Sequence, residues 1–171
     1  MENEAIGAWE AAGLMGVHFS RPKKMVDAGT ISGRALFSNE GRDFLVYSLA
    51  DCNQNFRDYL ENRTGSKRGR TAVNDRPRML RLLAAKGRPK IAYEDAIGAY
   101  EAAKILGVYW TFMARLAKNG HIVGRILHSG RSDRSRLWIF SRKSCEARAV
   151  EIAKLEKAGK KIGRPRSYVD R

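Results

Sequence analysis

Hydrophobic and polar positions follow the same order twice along the chain. In each round a short Ala-rich helical pattern ends at a glycine, a second short helical pattern ends at another glycine, and two strand-like runs follow. A longer amphipathic pattern closes each round, with Cys52, Phe56 and Leu60 on one face in the first round and Cys145 and Ile152 at a similar spacing in the second. The pattern therefore predicts helix, helix, β-hairpin and helix, twice.

The identities of the residues confirm that the chain contains an internal repeat. Residues 5–38 align with residues 96–129 without a gap, and about 15 of the 34 aligned positions are identical. We call the two rounds copy 1 and copy 2. The sequence predicts copy 1 over residues 1–64, a basic connector over 65–92, copy 2 over 93–158 and a basic C-terminal tail over 159–171.

Local signals place the elements within each copy. Ser20 is expected to cap the second helix of copy 1, with Pro22 in its first turn, and Thr111 is expected to cap the second helix of copy 2. The third helices should begin near Ser48 and Ser141. The predicted hairpin strands are residues 31–37 with 44–47, and residues 122–128 with 137–140.

This order predicts a mainly α fold with small β-hairpins (α+β), arranged as two tandem winged helix-turn-helix domains. In copy 2, Glu101-Ala102-Ala103, Leu106-Gly107-Val108 and Gly120 resemble the MerR-like or excisionase-like DNA-binding domain of bacteria, phages and plasmids. Copy 1 departs from that pattern at Met15 and at Arg21-Pro22. The resemblance implies that double-stranded DNA is the partner.

Charge supports the same partner. The chain carries 33 Lys and Arg against 18 Asp and Glu, a net charge of +15. Residues 1–20 contain three glutamates and no Lys or Arg, whereas residues 63–90 contain ten Lys or Arg against Asp75 alone. Such clustering favours a polyanion contact over an evenly solvated surface. A basic membrane-surface helix fits less well, because glycine and proline interrupt the cationic stretches. Without an apolar run of membrane-spanning length or a signal-peptide pattern, we expect a cytoplasmic, nucleoid-associated protein.

In a helix-turn-helix domain the second helix enters the major groove with its N-terminal residues at the base edges. The alternatives are that Arg115 and Lys118 form an ordinary solvated face and that Trp110 packs against the hairpin. The predicted major-groove residues are Arg21, Lys23, Lys24, Trp110, Thr111, Arg115 and Lys118.

Arginines recur in the hairpins. Arg34 and Arg125 occupy equivalent positions at the hairpin starts, where they either touch phosphate or pair with a local carboxylate. The predicted wing and backbone contacts are Arg34, Arg125, Arg131, Arg134 and Arg136.

Glycine-arginine-proline segments flank copy 2. Residues 86–90 (KGRPK) and 163–166 (GRPR) resemble AT-hooks, and the first also resembles the arm preceding the helix-turn-helix of invertase-type recombinases. This resemblance implies insertion of Arg or Lys into an A·T-rich minor groove. A flexible basic linker that binds phosphates is the alternative. The predicted arm residues are Arg68, Arg70, Arg88, Lys90, Arg164 and Arg166.

The sequence offers little other chemistry. The three histidines do not lie at ligand spacing from the cysteines, so we expect no metal site, no cofactor and no enzymatic activity. Cys52 and Cys145 are expected to be buried free thiols. Residues 75–85 predict a short connector helix whose Leu82 and Leu83 pack on a copy.

The most consistent function is transcriptional regulation. An architectural role in recombination, partition or transfer, a protein adaptor and an RNA binder are the alternatives, and a protein partner or homodimer stays open.

Overall fold

A computed structural model describes residues 3–39, 41–62, 70–128 and 137–158, with only the backbone described over 70–75. Within this part the fold is α+β, with seven α-helices and two three-stranded antiparallel sheets. Copy 1 contains β1 (Ala5–Ile6), α1 (Ala8–Met15), α2 (Arg21–Asp27), β2 (Gly33–Asn39), β3 (Arg42–Ser48) and α3 (Leu49–Glu61). After α4 (Arg70–Leu83), copy 2 contains β4 (Ala96–Ile97), α5 (Ala99–Leu106), a 3-10 turn (Trp110–Phe112), α6 (Met113–Lys118), β5 (Gly124–Ile126), β6 (Trp138–Ser141) and α7 (Arg142–Lys157).

Each copy adds one short strand to its predicted hairpin. The strand orders are β1-β3-β2 and β4-β6-β5, and the two sheets have equivalent registers, with Ala5 opposite Ser48 and Ala96 opposite Ser141. The hairpins confirm the prediction. The outer strands β1 and β4 were not predicted, because two residues are too few to show an alternating pattern.

The helix ends follow the sequence signals at most positions. Gly16 and Gly107 end the first helices with φ of 65° and 63°, a left-handed conformation that glycine adopts without a steric penalty. Ser48 and Ser141 cap α3 and α7, and each hydroxyl accepts a hydrogen bond from the backbone amide three residues later, at 3.1 Å. The predicted starts of the third helices are therefore confirmed.

The second helices start differently in the two copies. In copy 1, Ser20 precedes α2 as predicted, but its hydroxyl lies 2.9 Å from Nδ1 of His18 and does not cap the helix. In copy 2, Thr111 is not a cap, because it lies inside the 3-10 turn that precedes α6. The amide of Phe112 donates to the carbonyl of Tyr109 at 3.0 Å, so a tighter turn occupies the first positions of the expected helix.

Each copy has its own apolar core, built from equivalent positions. In copy 1, Leu14, Tyr47 and Cys52 are buried together, and Phe140 and Cys145 are buried in copy 2. The predicted inward faces of the third helices are confirmed at both cysteines. The prediction was wrong for Leu60, which is 49% exposed near the end of α3.

Helix α4 completes the core of copy 1. It begins five residues before the predicted start, and its Met79 and Leu83 are buried against copy 1, with Leu82 packing beside them. Arg76 lies 4.0 Å from the ring centroid of Phe56. The predicted packing of the connector helix on a copy is confirmed.

Met79 packs on copy 1 at a position that differs between the copies. A Cβ atom at Gly13 would lie 2.9 Å from Cε of Met79, so the end of the Met79 side chain packs directly against this glycine. The aligned residue in copy 2 is Lys104, whose ammonium lies 4.6 Å from the ring centroid of Tyr100.

The two sheets meet in a third apolar cluster. Leu36 and Val46 of copy 1 belong to it together with Leu127 and Ile139 of copy 2. Further buried members are Ala5, Ile91, Tyr93 and Ala96, with Phe44 and Leu137 packed at the edge. The copies therefore share a core and form a single packed body.

Candidate nucleic-acid interface

The outward face of α2 is cationic. Pro22 is buried and fixes the start of the helix, whereas Arg21, Lys23 and Lys24 are exposed. Lys23 forms an ion pair with Asp27 at 3.2 Å on the same exposed surface. The structure thus places the three predicted residues of copy 1 together, at a solvent-facing helix N-terminus.

The equivalent segment of copy 2 also faces solvent. Met113 is fully buried and anchors it, while Thr111, Arg115 and Lys118 are exposed. Trp110 is 39% exposed, so its ring is not enclosed by the hairpin.

An exposed aromatic ring precedes the second helix of copy 1 as well. Phe19 is 52% exposed, and its ring centroid lies 4.4 Å from that of His18. Sequence reasoning missed Phe19. The signal was present, because Phe19 aligns with Trp110 in the repeat.

Close packing on the hairpins positions the second helices. A Cβ atom at Gly33 would lie 2.4 Å from Cγ2 of Val26, and one at Gly124 would lie 3.0 Å from Cβ of Ala117. A larger residue at Gly33 would collide with Val26 of α2, whereas at Gly124 it would first meet Cδ1 of Phe140, at 2.6 Å, and then Ala117 of α6. The orientation of each cationic face is therefore set by its own hairpin.

A groove follows the N-terminal side of each second helix. The groove of copy 1 has a volume of about 520 Å³ and is lined by Phe19 and Lys23, and by Leu127 and Leu137 from the other copy. The groove of copy 2 is lined by Trp110, Thr111, Ala114 and Leu137, and by Ser38 from copy 1. It measures about 140 Å³. Each second helix therefore begins beside the hairpin of the other copy.

Arg125 does not face this surface. Its side chain is 3% exposed, and its Nη1 lies 3.0 Å from Oε1 of Glu10 in copy 1. Its Nη2 donates to the carbonyl of Ala5 at 2.6 Å and lies 3.5 Å from Oε1 of Glu4. Of the two interpretations of Arg125, phosphate contact or carboxylate pairing, the structure shows the second.

Arg34 makes the corresponding contact in the opposite direction. Its guanidinium donates to the carbonyls of Tyr93, at 2.7 Å, and Ala96. Both acceptors are backbone carbonyls of the segment that leads into copy 2. The partner of Arg34 is therefore backbone and not a carboxylate. The expected phosphate contact is not supported for either arginine, because both side chains serve the contact between the copies.

Arg88 also points inward. It forms an ion pair with Glu4, and its Nη1 donates to the carbonyl of Leu83 at 3.0 Å. Its side chain is 10% exposed, whereas Lys90 is exposed. The expectation of a free minor-groove arm is not supported for Arg88, because Glu4 and the carbonyl of Leu83 hold its guanidinium inside the protein.

Several predicted residues lie outside the described part of the chain. This group contains Arg68, Arg131, Arg134, Arg136, Arg164 and Arg166, and the side chain of Arg70.

The buried thiols are chemically quiet. Burial raises the pKa of Cys52 to about 12 and that of Cys145 to about 12, with Asp51 and Asp95 respectively adding to the effect. Across residues 3–39, 41–62, 70–128 and 137–158, no group of three or more His, Cys, Asp or Glu residues is arranged to hold a metal ion. No helix in that same part combines the length and the apolar character needed to cross a membrane.

Comparison with known proteins does not assign the chain to a family. No protein-family model, curated protein or solved structure matches it. Functional inference therefore rests on the repeated motif and on the surface that the second helices present.

Proposed function

We propose that this chain is a sequence-specific double-stranded-DNA-binding protein with tandem winged helix-turn-helix domains. One observation carries the proposal: the second helix of each copy presents exposed cations on a firmly packed unit, with Lys24 and Arg115 at aligned positions. In this arrangement α2 and the segment 110–118 enter major grooves, with Arg21, Lys24 and Arg115 near base edges or phosphates.

The distribution of arginine within the body supports this proposal. Arg88 and Arg125 form ion pairs with buried glutamates, and Arg34 donates hydrogen bonds to backbone carbonyls. Within the described part of the chain, the ion pair of Lys23 with Asp27 is the one that involves a cation of the second helices. The exposed cations of the second helices therefore stay available to a polyanion, which other exposed Lys and Arg residues on the surface can also attract.

Transcriptional regulation is the role we propose for this binding. Occupation of a promoter and bending of DNA use the same contacts, so an architectural role is the alternative within DNA binding. Mapping the bound site in the source genome distinguishes a promoter from a recombination or transfer origin.

The experiment is a fluorescence-anisotropy titration of labelled duplex DNA across a range of salt concentrations. Binding should weaken with salt, with a slope of about −0.9 in log affinity against log salt for each phosphate neutralised. The double variants R21A/K24A and R115A/K118A should each weaken binding and reduce the slope by roughly 2. The variant K154A/K157A removes the same charge from the exposed end of α7 and should change the slope little.

Two outcomes would overturn the proposal. One is duplex binding that is insensitive to salt. The other is equal weakening by R115A/K118A and K154A/K157A, which would show a response to net charge and no dedicated surface. Tighter binding to single-stranded RNA than to duplex DNA would transfer the function to RNA.

A further inference from the structure

The contacts between the copies are reciprocal. Arg34 of copy 1 donates to the carbonyl of Ala96 in copy 2, and Arg125 of copy 2 donates to the carbonyl of Ala5 in copy 1. In the internal alignment Arg34 corresponds to Arg125, and Ala5 corresponds to Ala96. The same pair of positions is therefore used twice, once in each direction.

The apolar contacts between the sheets have the same symmetry. Leu36 and Leu127 are aligned residues, and both are buried in the shared cluster. Val46 and Ile139 occupy equivalent places beside them, on β3 and β6. A contact in which each partner uses the same patch is isologous and implies a two-fold axis, whereas a head-to-tail repeat joins two different patches. The copies are thus related by an approximate two-fold rotation.

The grooves beside the two second helices adjoin each other. Leu137 lines both grooves, the one that begins at Phe19 and Lys23 and the one that begins at Trp110 and Thr111. The grooves at the N-terminal sides of the two second helices therefore meet at the Leu137 side chain.

We propose that the chain recognises a DNA site composed of two half-sites in inverted orientation, with unequal sequences. This inference rests on the proposed function. The inverted orientation follows from the two-fold relation, since a DNA duplex has two-fold axes perpendicular to its own axis. The inequality follows from the second helices, which read Arg21-Pro22-Lys23-Lys24 in copy 1 and Phe112-Met113-Ala114-Arg115 in copy 2.

The orientation of the half-sites is set by packing and not by the connector. The buried pair of Glu10 with Arg125 and the apolar cluster between the sheets fix one copy against the other. With a flexible linker, two domains engage direct and inverted repeats alike, provided that the linker spans both. Two copies fixed by a two-fold relation bind both half-sites in one arrangement, and on every other arrangement only one copy binds its half-site.

The experiment begins with selection of bound sequences from a random pool of duplex DNA by the full chain. The selected half-sites are then placed on synthetic duplexes in inverted and direct orientations, over a range of spacings, and affinities are measured. One inverted arrangement should bind about 100-fold tighter than any direct repeat, because its second contact is intramolecular. K24A should weaken dependence on one half-site, and R115A should weaken dependence on the other.

A second variant tests whether the interface sets the orientation. Inserting six Gly-Ser residues between Gly65 and Ser66 lengthens the connector without changing either reading helix. The orientation preference should be unchanged. If the insertion makes direct and inverted repeats equivalent, the connector sets the geometry and the inference is wrong.

The remaining outcomes separate this inference from the proposed function. Salt-dependent duplex binding that favours direct repeats, or that selects a single half-site, overturns the inverted arrangement and leaves DNA binding intact. Absence of specific duplex binding by the full chain overturns the proposed function itself.

Discussion

Removing the guanidinium of Arg125 should destabilise the whole protein and not merely one copy. In Arg125→Met the carboxylate of Glu10 loses its charged partner while it stays fully buried in the contact between the copies. Among the described residues it keeps two amide donors, from Gly7 at 2.7 Å and His128 at 3.4 Å. Breaking one side of a buried ion pair costs about 3–5 kcal/mol, because the remaining charge is left uncompensated.

The repeat supplies a matched control for this prediction. Arg34→Met removes the aligned arginine, which donates to the neutral carbonyls of Tyr93, Glu94 and Ala96 at the entry of copy 2. Leaving neutral acceptors unsatisfied costs about 1–3 kcal/mol, so Arg34→Met should be the milder change. Adding Glu10→Gln to Arg125→Met removes the stranded charge and should recover part of the loss.

The measurement is urea unfolding followed by circular dichroism and by tryptophan fluorescence. Trp9 is a suitable reporter, since its ring centroid lies 6.3 Å from that of His128 across the contact between the copies. The wild-type protein should show one transition by both probes, and Arg125→Met should shift it to lower urea or split it in two. A loss below about 1 kcal/mol in Arg125→Met, or an equal loss in both arginine variants, would refute the argument that this ion pair holds the copies together.

Two further predictions concern the packing. Gly98→Ala should destabilise the protein by about 1–3 kcal/mol in urea unfolding, because the added Cβ would lie 2.0 Å from the carbonyl oxygen of Phe37. Gly41→Ala is the control, since no atom lies within 4 Å of its added Cβ. Equal stability of the two variants would contradict the close approach at Gly98. Cys52 and Cys145 should react with a thiol reagent at pH 8 only after denaturation, because a pKa of about 12 leaves roughly one thiol in ten thousand ionised at that pH. Rapid stoichiometric labelling of the native protein would show that the thiols are accessible.

The sequence predicted the contents of each copy better than the contact between the copies. Helix stops at Gly16 and Gly107 and caps at Ser48 and Ser141 depend on neighbouring residues, so local patterns were sufficient to place them. The start of the second helix in copy 2 was misplaced. A capping hydroxyl at Thr111 is chemically suitable, but the chain forms a tighter turn there.

The contact between the copies was missed because its arginines look like ligand-binding residues. In a chain of net charge +15, Arg34, Arg88 and Arg125 are not distinguishable by type from cations that meet phosphate. Two signals were nevertheless present. The hairpin of copy 1 carries apolar residues on both faces, with Leu36 and Val46 facing the other copy. The glutamates near the start of the chain also lie in a stretch without Lys or Arg, so partners for them had to come from elsewhere.

The pairing of Glu10 with Arg125 also affects how the protein is made. The two residues are 115 positions apart, so the ribosome has synthesised the whole of copy 1 before it adds Arg125, the partner of the buried Glu10 carboxylate. Helix α4 can close the core of copy 1 early, but the sheet face bearing Leu36 and Val46 stays uncovered until copy 2 emerges. During synthesis this face is an exposed apolar surface, and its native partner lies in copy 2, which is synthesised later. Nascent chains stalled before residue 125 are accordingly the species most prone to pair with each other, through the face that later joins the two copies within one molecule.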